Sequence, residues 1–401
     1  MSTTTETTPV RRTTGTAGFA LAVLAVLALM AGASAPSPFY PVLQQELGFS
    51  AATMTGIFAV YAVALLVTLL FAGSVSDHLG RRPVVSAGLI VLAVSMLAFW
   101  HADSVSMLFT ARVVQGVAAG LLMSSLSAMV VDLEPPHLAG LAATLNSVSP
   151  LAGLALGALA SGLLMDHTSS ALAWVFASLT ALFVLLAAVV WLVPETAPRQ
   201  EGLLSSLKPR VGIPAVALPA FLRSAPALLA GWATGGLYLS LGAPLVAQEL
   251  GRSLHVEQGL VVTVLTGSGA AACFVVRGWT SRRITIIGTV ALSVGTALTL
   301  AALAAGSYVG FVAAGLVAGI GFGMSFLGIM RSITPLAPPH ERGELFASVF
   351  VISYLAFGIP AVAAGIAAPH IGLAETTYVY GGTVVVLSAV AALLRRFASN
   401  D

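Results

Sequence analysis

Gly73-Ser74-Val75-Ser76-Asp77-His78-Leu79-Gly80-Arg81-Arg82-Pro83 joins two apolar runs, 52–72 and 83–100, and its reading decides the fold. Each run is close to the roughly 20 residues an α-helix needs to cross about 30 Å of hydrocarbon. The glycines permit a tight turn, and the arginines set two fixed positive charges directly after it. The stretch is therefore a polar hinge between two membrane helices, with its charge on one side of the membrane.

The rest of the chain repeats that arrangement. Of 401 residues, 58% are hydrophobic and only 8% are Asp, Glu, Lys or Arg. A soluble domain carries about 25% charged residues, so a soluble enzyme is excluded. A net charge of +2 offers nucleic acid no footprint. Cys273 is the only cysteine, which excludes an intramolecular disulfide and a zinc site built on several cysteines. Twelve long apolar runs stand out: 17–36, 52–72, 83–100, 104–131, 140–165, 171–193, 222–246, 257–276, 284–304, 308–330, 345–368 and 374–394. The short alternating pattern of a β-barrel is absent, so helices must satisfy the backbone inside the lipid. The predicted fold class is an all-α membrane protein of twelve transmembrane helices.

Of the 17 Lys and Arg residues, Arg112 lies inside a run and Arg252 falls on one side; all the others fall on the opposite side. That bias predicts that both termini are cytoplasmic. The predicted organisation is a tail at 1–16, a six-helix half at 17–193, a polar linker at 194–221, a second half at 222–394 and a tail at 395–401. Arg11-Arg12, the first run and Ala31-Gly32-Ala33-Ser34-Ala35 would also fit a secretory signal with a small-residue cleavage site. The internal repeat favours a retained span.

That repeat appears when Gly48 is laid on Gly251, a shift of 203 residues. Pro41, Gln45, Glu46 and Leu47 then fall on Pro244, Gln248, Glu249 and Leu250. Pro135-Pro136-His137 falls on Pro338-Pro339-His340, and Gly116, Gly120, Gly140 and Gly162 fall on Gly319, Gly323, Gly343 and Gly365. The Gln-Glu-Leu-Gly and Pro-Pro-His pairs lie in loops, where helix composition alone would not produce them. A shift of six spans preserves membrane orientation, so the halves should be related by pseudo-two-fold symmetry along the membrane normal, with a ligand site between them.

The pattern Gly73-x-x-x-Asp77-x-x-Gly80-Arg81-Arg82, in that loop of a twelve-span chain, resembles the hinge loop of the major facilitator superfamily. Arg112-x-x-Gln115-Gly116-x-x-x-Gly120 resembles a second element, common in its drug/proton antiporter branch. Pro194-Glu195-Thr196 is a further, short likeness. Span five, from Asn146 to Gly162, is glycine-rich but lacks the Gly-Pro and Gly-Gly of that branch. The resemblance implies a monomeric secondary transporter in the cytoplasmic membrane, surrounded by lipid. It would move a small-molecule substrate by alternating access, outward and with protons as coupling ion, without a cofactor or metal.

It further implies that Gly73, Asp77, Gly80, Arg81 and Arg82 form a gate, Asp77 meeting a helix N-terminus near span eleven. Spans one, four, seven and ten should line a central cavity. Cavity candidates are Phe39, Tyr40, Arg112, Gln115, Gly116, Met123, Trp232, Tyr238, Phe322, Met324 and Phe326, joined by Asn146 and Tyr354 on spans five and eleven. Aromatics and Met with few fixed charges suit an amphiphilic organic solute.

Arg112 lies about 12 Å below the outer end of its helix at 1.5 Å per residue. None of the 15 acids lies mid-span, so no carboxylate can meet it at comparable depth and no midplane proton relay is visible. An uptake carrier of the same fold and a non-transporting membrane sensor remain as alternatives. An intramembrane enzyme does not: the chain has no His-Glu-x-x-His and no Gly-x-Ser-x-Gly element.

Overall fold

The computed structural model describes residues 15–197, 201–209, 211–338 and 341–397. Arg11, Arg12, Arg199, Arg210, Pro339, His340 and most of both predicted tails lie outside the described residues. Twelve described helices are long and apolar enough to cross a membrane. They are α1 (Thr16–Leu47), α2 (Ala51–Ala72), α3 (Arg81–Trp100), α4 (Val105–Asp132), α5 (Leu141–His167) and α6 (Ala171–Leu192). The second six are α7 (Leu218–Gln248), α8 (His255–Gly278), α9 (Ser281–Ala304), α10 (Tyr308–Leu336), α11 (Arg342–Ile371) and α12 (Leu373–Arg396).

Three boundaries differ most from the sequence expectation; one is α10, which runs on from 330 to Leu336 and ends in a 3-10 turn, Thr334–Leu336. α1 runs past residue 36 because Pro36 and Pro38 tighten the helix into a 3-10 turn, Ser37–Phe39, without ending it. The helix resumes over Tyr40–Leu47 and stops at Gly48, whose φ of 66° is left-handed. Gly251, its equivalent in the repeat, has φ 62°. α7 begins at Leu218 rather than 222, because Pro219 in its first turn starts a helix readily. Ser50 and Ser307 cap α2 and α10 by accepting from the backbone N–H groups of Thr53 and Gly310.

The repeat is also a repeat of interfaces. A Cβ on Gly116 would lie 2.5 Å from the Tyr61 carbonyl oxygen, and one on Gly120 2.7 Å from that of Leu65, so α4 sits directly on α2. Cβ atoms on Gly319 and Gly323 would overlap the carbonyls of Leu265 and Gly269, so α10 sits on α8 in the same way. In lipid no hydrophobic force drives helices together, and such close backbone approach supplies the van der Waals attraction instead. The same holds between the halves. Gly162 of α5 packs on His255 and Val256 of α8, as its equivalent Gly365 of α11 packs on Thr55 of α2. The fold is two six-helix halves joined along the α5–α8 and α2–α11 seams.

The molecule has a basic end, carrying Arg81, Arg82, Arg277, Arg283, Arg331 and Arg342, and an opposite end. At the opposite end Asp166 of α5 accepts from the backbone N–H groups of His255 and Val256 at 2.9 and 2.8 Å. The His255 ring lies 2.9 Å from the same carboxylate, whose side chain is only 9% exposed. This contact caps α8 from the other half and ties the halves together at that end. At the basic end the linker touches both halves: Ser74 Oγ donates to Ser206 O, and Ser348 Oγ donates to Gly212 O.

Candidate functional site

The hinge between α2 and α3 is built around Glu195. Its two carboxylate oxygens accept from the backbone N–H groups of Arg81 at 2.8 Å and Arg82 at 3.1 Å, which are otherwise unpaired donors at the start of α3. Gly80 adopts φ 99°, and a Cβ there would stand 2.7 Å from Glu195 Oε2, so backbone angle and space both require glycine. Arg82 donates to Val193 O and lies over the Trp191 ring, tying the end of α6 to α3. Asp77 forms an ion pair with Arg81, which also meets Asp132 at 3.4 Å.

The acid on a helix N-terminus is Glu195, whereas Asp77 pairs within its own loop because Arg81, four residues on, is the nearest cation. Partial burial would raise the Glu195 carboxyl, but backbone donors from Ala197, Arg81, Arg82 and Thr196 outweigh it and hold the pKa below the usual value. A lowered carboxyl contributes stability above its unfolded pKa, about 4.3, and loses it as pH falls through the folded value. Glu195→Ala should therefore lower the melting temperature at pH 7 by the equivalent of about 1 kcal/mol. The gap to wild type should close on acidification below about pH 4, and a gap independent of pH would refute the cap.

Arg112 is 1% exposed and has no carboxylate partner among the described residues. Its Nε donates to Tyr40 Oη at 2.6 Å, and its Nη1 donates to Ala33 O at 3.1 Å and Gln115 Oε1 at 2.5 Å. Gln115 Nε2 in turn donates to Gly32 O at 2.8 Å. The guanidinium carbon lies 5.3–5.5 Å from the ring centres of Tyr40, Tyr61 and Phe99. The broken stretch of α1 turns its carbonyls and Tyr40 toward α4, which is why the charge is tolerated there. Nη2 is buried and has no hydrogen-bond partner.

Arg112 borders a cavity of about 260 Å³ between the halves. Of the residues named from sequence, Met123, Asn146, Trp232, Phe322, Phe326 and Tyr354 line it. Phe39, Tyr40, Gln115, Gly116, Tyr238 and Met324 do not. Tyr40 and Gln115 are held by Arg112, Gly116 lies against α2, and Phe39 packs on Phe176. Tyr238 bonds Thr299 within the second half, and Met324 is buried beside Cys273. The lining also takes in α2 and α8, beyond the spans anticipated.

The two walls differ. The first half contributes Arg112, Ser127 and Asn146, whose Nδ2 donates to Ser127 O and whose Oδ1 is left without a partner. The second half contributes an aromatic wall in which the Trp232 ring centre lies 5.0 Å from Tyr354, 5.7 Å from Phe326 and 6.0 Å from Phe357. Phe58 of α2 meets Phe357 at 4.7 Å, closing the seam. A larger groove, about 340 Å³, lies between α7, α11 and α12. It is apolar and edged by exposed Val379 and Ile371, whereas the cavity between the halves carries Arg112, Ser127 and Asn146.

A sequence profile of the Major Facilitator Superfamily matches residues 22–358. The chain belongs to that superfamily. It is 29% identical over 100 residues to the quinolone resistance protein NorA of Staphylococcus aureus, covering 25% of this chain and 26% of that protein. It is 34% identical over 137 residues to an uncharacterized MFS-type transporter of Mycobacterium tuberculosis, covering 34% of this chain and 23% of the other. The matches thus span about a quarter of each curated relative. A solved bacterial homologue of the human lysosomal transporter Spinster, in an inward-facing and unoccupied conformation, shares the fold. Its TM-score is 0.74 at 16% identity, over 96% of this chain and 98% of that one.

Within this superfamily member, sequence reading missed Phe58, Tyr61, Phe350 and Phe357 as cavity residues and Asp166 as the tie between the halves. Phe58 and Tyr61 are spaced i, i+3 on α2 and so share a face, a signal that could have been read. Nothing local marks Phe350 or Phe357 apart from aromatics that face lipid.

Proposed function

We propose that the chain is a secondary transporter that carries a small amphiphilic organic solute out across the plasma membrane by alternating access. The supporting observation is a cavity that combines a buried cation with an aromatic wall and lies on the seam between the halves. Its lining runs from Phe58 and Arg112, each within ten residues of the opposite end of its helix, to Asn146, Ala227 and Phe350, each within ten residues of the basic end, while Asp166 ties the halves together at the opposite end. With the basic end cytoplasmic, as the positive-inside rule assigns it, this reading has the Asp166 contact closing the outer end and the cavity loading from the cytoplasm. Solute loads from within, the halves tilt about the α5–α8 and α2–α11 seams, and that contact opens. Asp77, Arg81 and Arg82 act at the basic end, where the gate closes in the alternate state. Protons are the proposed coupling ion, and with no carboxylate in the cavity lining they bind outside it.

Flux in proteoliposomes tests this reading. A panel of amphiphilic solutes loaded on the cytoplasmic side should leave faster with an inward proton gradient than without one. Flux indifferent to the gradient would remove the coupling ion, net uptake would reverse the direction, and binding without flux would make the protein a sensor.

A further inference from the structure

The two halves treat their arginines differently at the basic end. In the first half Arg81 pairs with Asp77 and Asp132, and Arg82 with Glu195. In the second half Arg277 and Arg331 donate to the carbonyls of Phe274 and Arg277, Arg395 donates to Ser332 Oγ, and Arg283 lies over the Trp279 ring at 4.3 Å. None of these four meets a carboxylate among the described residues. Arg282 donates to Arg396 O at 3.4 Å, so polar contacts join α8, α9, α10 and α12 into one basic rim.

The rim stands where the apolar surface stops. Phe274 and Val275 precede Arg277 on α8, Leu393 and Leu394 precede Arg395 on α12, and Ile287 and Val290 follow Arg283 on α9; all six are exposed. On a membrane span such side chains meet acyl chains, and the next turn lies among the headgroups. Arg277, Arg282 and Arg283 are themselves exposed, so a headgroup reaches them without rearrangement. We propose that the basic rim of the second half is a binding surface for anionic phospholipid, with headgroup phosphates on Arg277, Arg283 and Arg395 and acyl chains along α8, α9 and α12. A soluble anion would meet the charge but not the apolar surface, and a zwitterionic lipid brings no net charge. The first half offers no such surface, because its arginines are neutralised by its own acids. This site depends neither on the carried solute nor on the direction of transport.

The test titrates fluorescent phosphatidylglycerol and phosphatidylcholine with the same chains against the purified full chain in neutral detergent at pH 7, reading anisotropy. Each arginine near an anionic surface contributes about fivefold, so phosphatidylglycerol should bind at least about tenfold tighter. That preference should shrink to within about threefold in 0.5 M salt, where the Debye length falls to roughly 4 Å. Glycerol phosphate at millimolar concentration should not displace the lipid. In the combined variant Arg277→Gln, Arg283→Gln, Arg395→Gln, phosphatidylglycerol should fall to the level of phosphatidylcholine, whose binding stays within about threefold of wild type. The pair Arg81→Gln, Arg82→Gln should leave the preference intact. Equal binding of the two lipids by the wild type, a preference that survives the triple variant, or one lost in the first-half pair would overturn the proposal. Displacement by glycerol phosphate would make it a site for a soluble anion and overturn it equally. The two wild-type titrations decide even if a variant fails to fold.

Discussion

Replacing Arg112 with alanine is expected to cut solute flux, normalised to folded protein in the membrane, at least about 100-fold, some 2.7 kcal/mol. The amount of folded protein should change little. Three hydrogen bonds are lost, which would destabilise the variant, but the removed cation was buried and unneutralised, and its desolvation cost goes with it. These effects oppose each other, so the variant inserts. What disappears without compensation is the only fixed charge in the cavity lining. Arg112→Lys should recover little, because a single ammonium cannot meet Tyr40 Oη, Ala33 O and Gln115 Oε1 in the plane of a guanidinium. Normalised flux near wild type in the alanine variant would show that Arg112 only braces α4 against α1.

Asp166→Ala should open the opposite end. The carboxylate takes two backbone N–H groups of α8 and the His255 ring, nearly out of solvent. Charge-assisted bonds of this kind are each worth about 1.5–3 kcal/mol. Losing the cap should therefore shift the closed–open balance of that end by roughly 10- to 100-fold. A reporter cysteine at Leu239, which lines the cavity, can be read in a Cys273→Ser background, since Cys273 lines it too. Labelling by an impermeant thiol reagent added on the side away from the basic end should rise by that factor. Unchanged labelling would mean that the α2–α11 seam alone keeps this end closed.

Legibility in the sequence stopped at a definable level. Span count follows from run length, because lipid thickness is a one-dimensional constraint, and every described span begins and ends close to its apolar run except α1, α7 and α10. The repeat was visible in loops at Gly48 and Gly251, where a left-handed turn demands glycine, and its meaning as paired interfaces was implicit in Gly116, Gly120, Gly319 and Gly323. The isolation of Arg112 was equally plain, since no acid lies mid-span. The faces of the helices were not legible. A helix between lipid and protein is apolar all round, so periodicity does not mark its inner side as it does in water. Phe39, Tyr238 and Met324 are as aromatic or as soft as Phe58, Phe357 and Met123, and only the crossing of helices puts the second set on the cavity.

The partners of charge were decided in the same way. Asp77 lies in the hinge loop and Glu195 more than a hundred residues away, yet Glu195 caps α3, because α6 ends beside the start of α3. Asp166 looks like any acid at the end of a span until α8 is brought against it from the other half. Sequence alone thus determined the solvent, the number of the spans, the duplication and the one uncompensated mid-span charge, all properties of composition and spacing along the chain. Tertiary structure alone decided where α1 ends, which side chains share the cavity and which acid caps which helix, because each is set by contacts between segments whose order in the sequence carries no information about their distance in space.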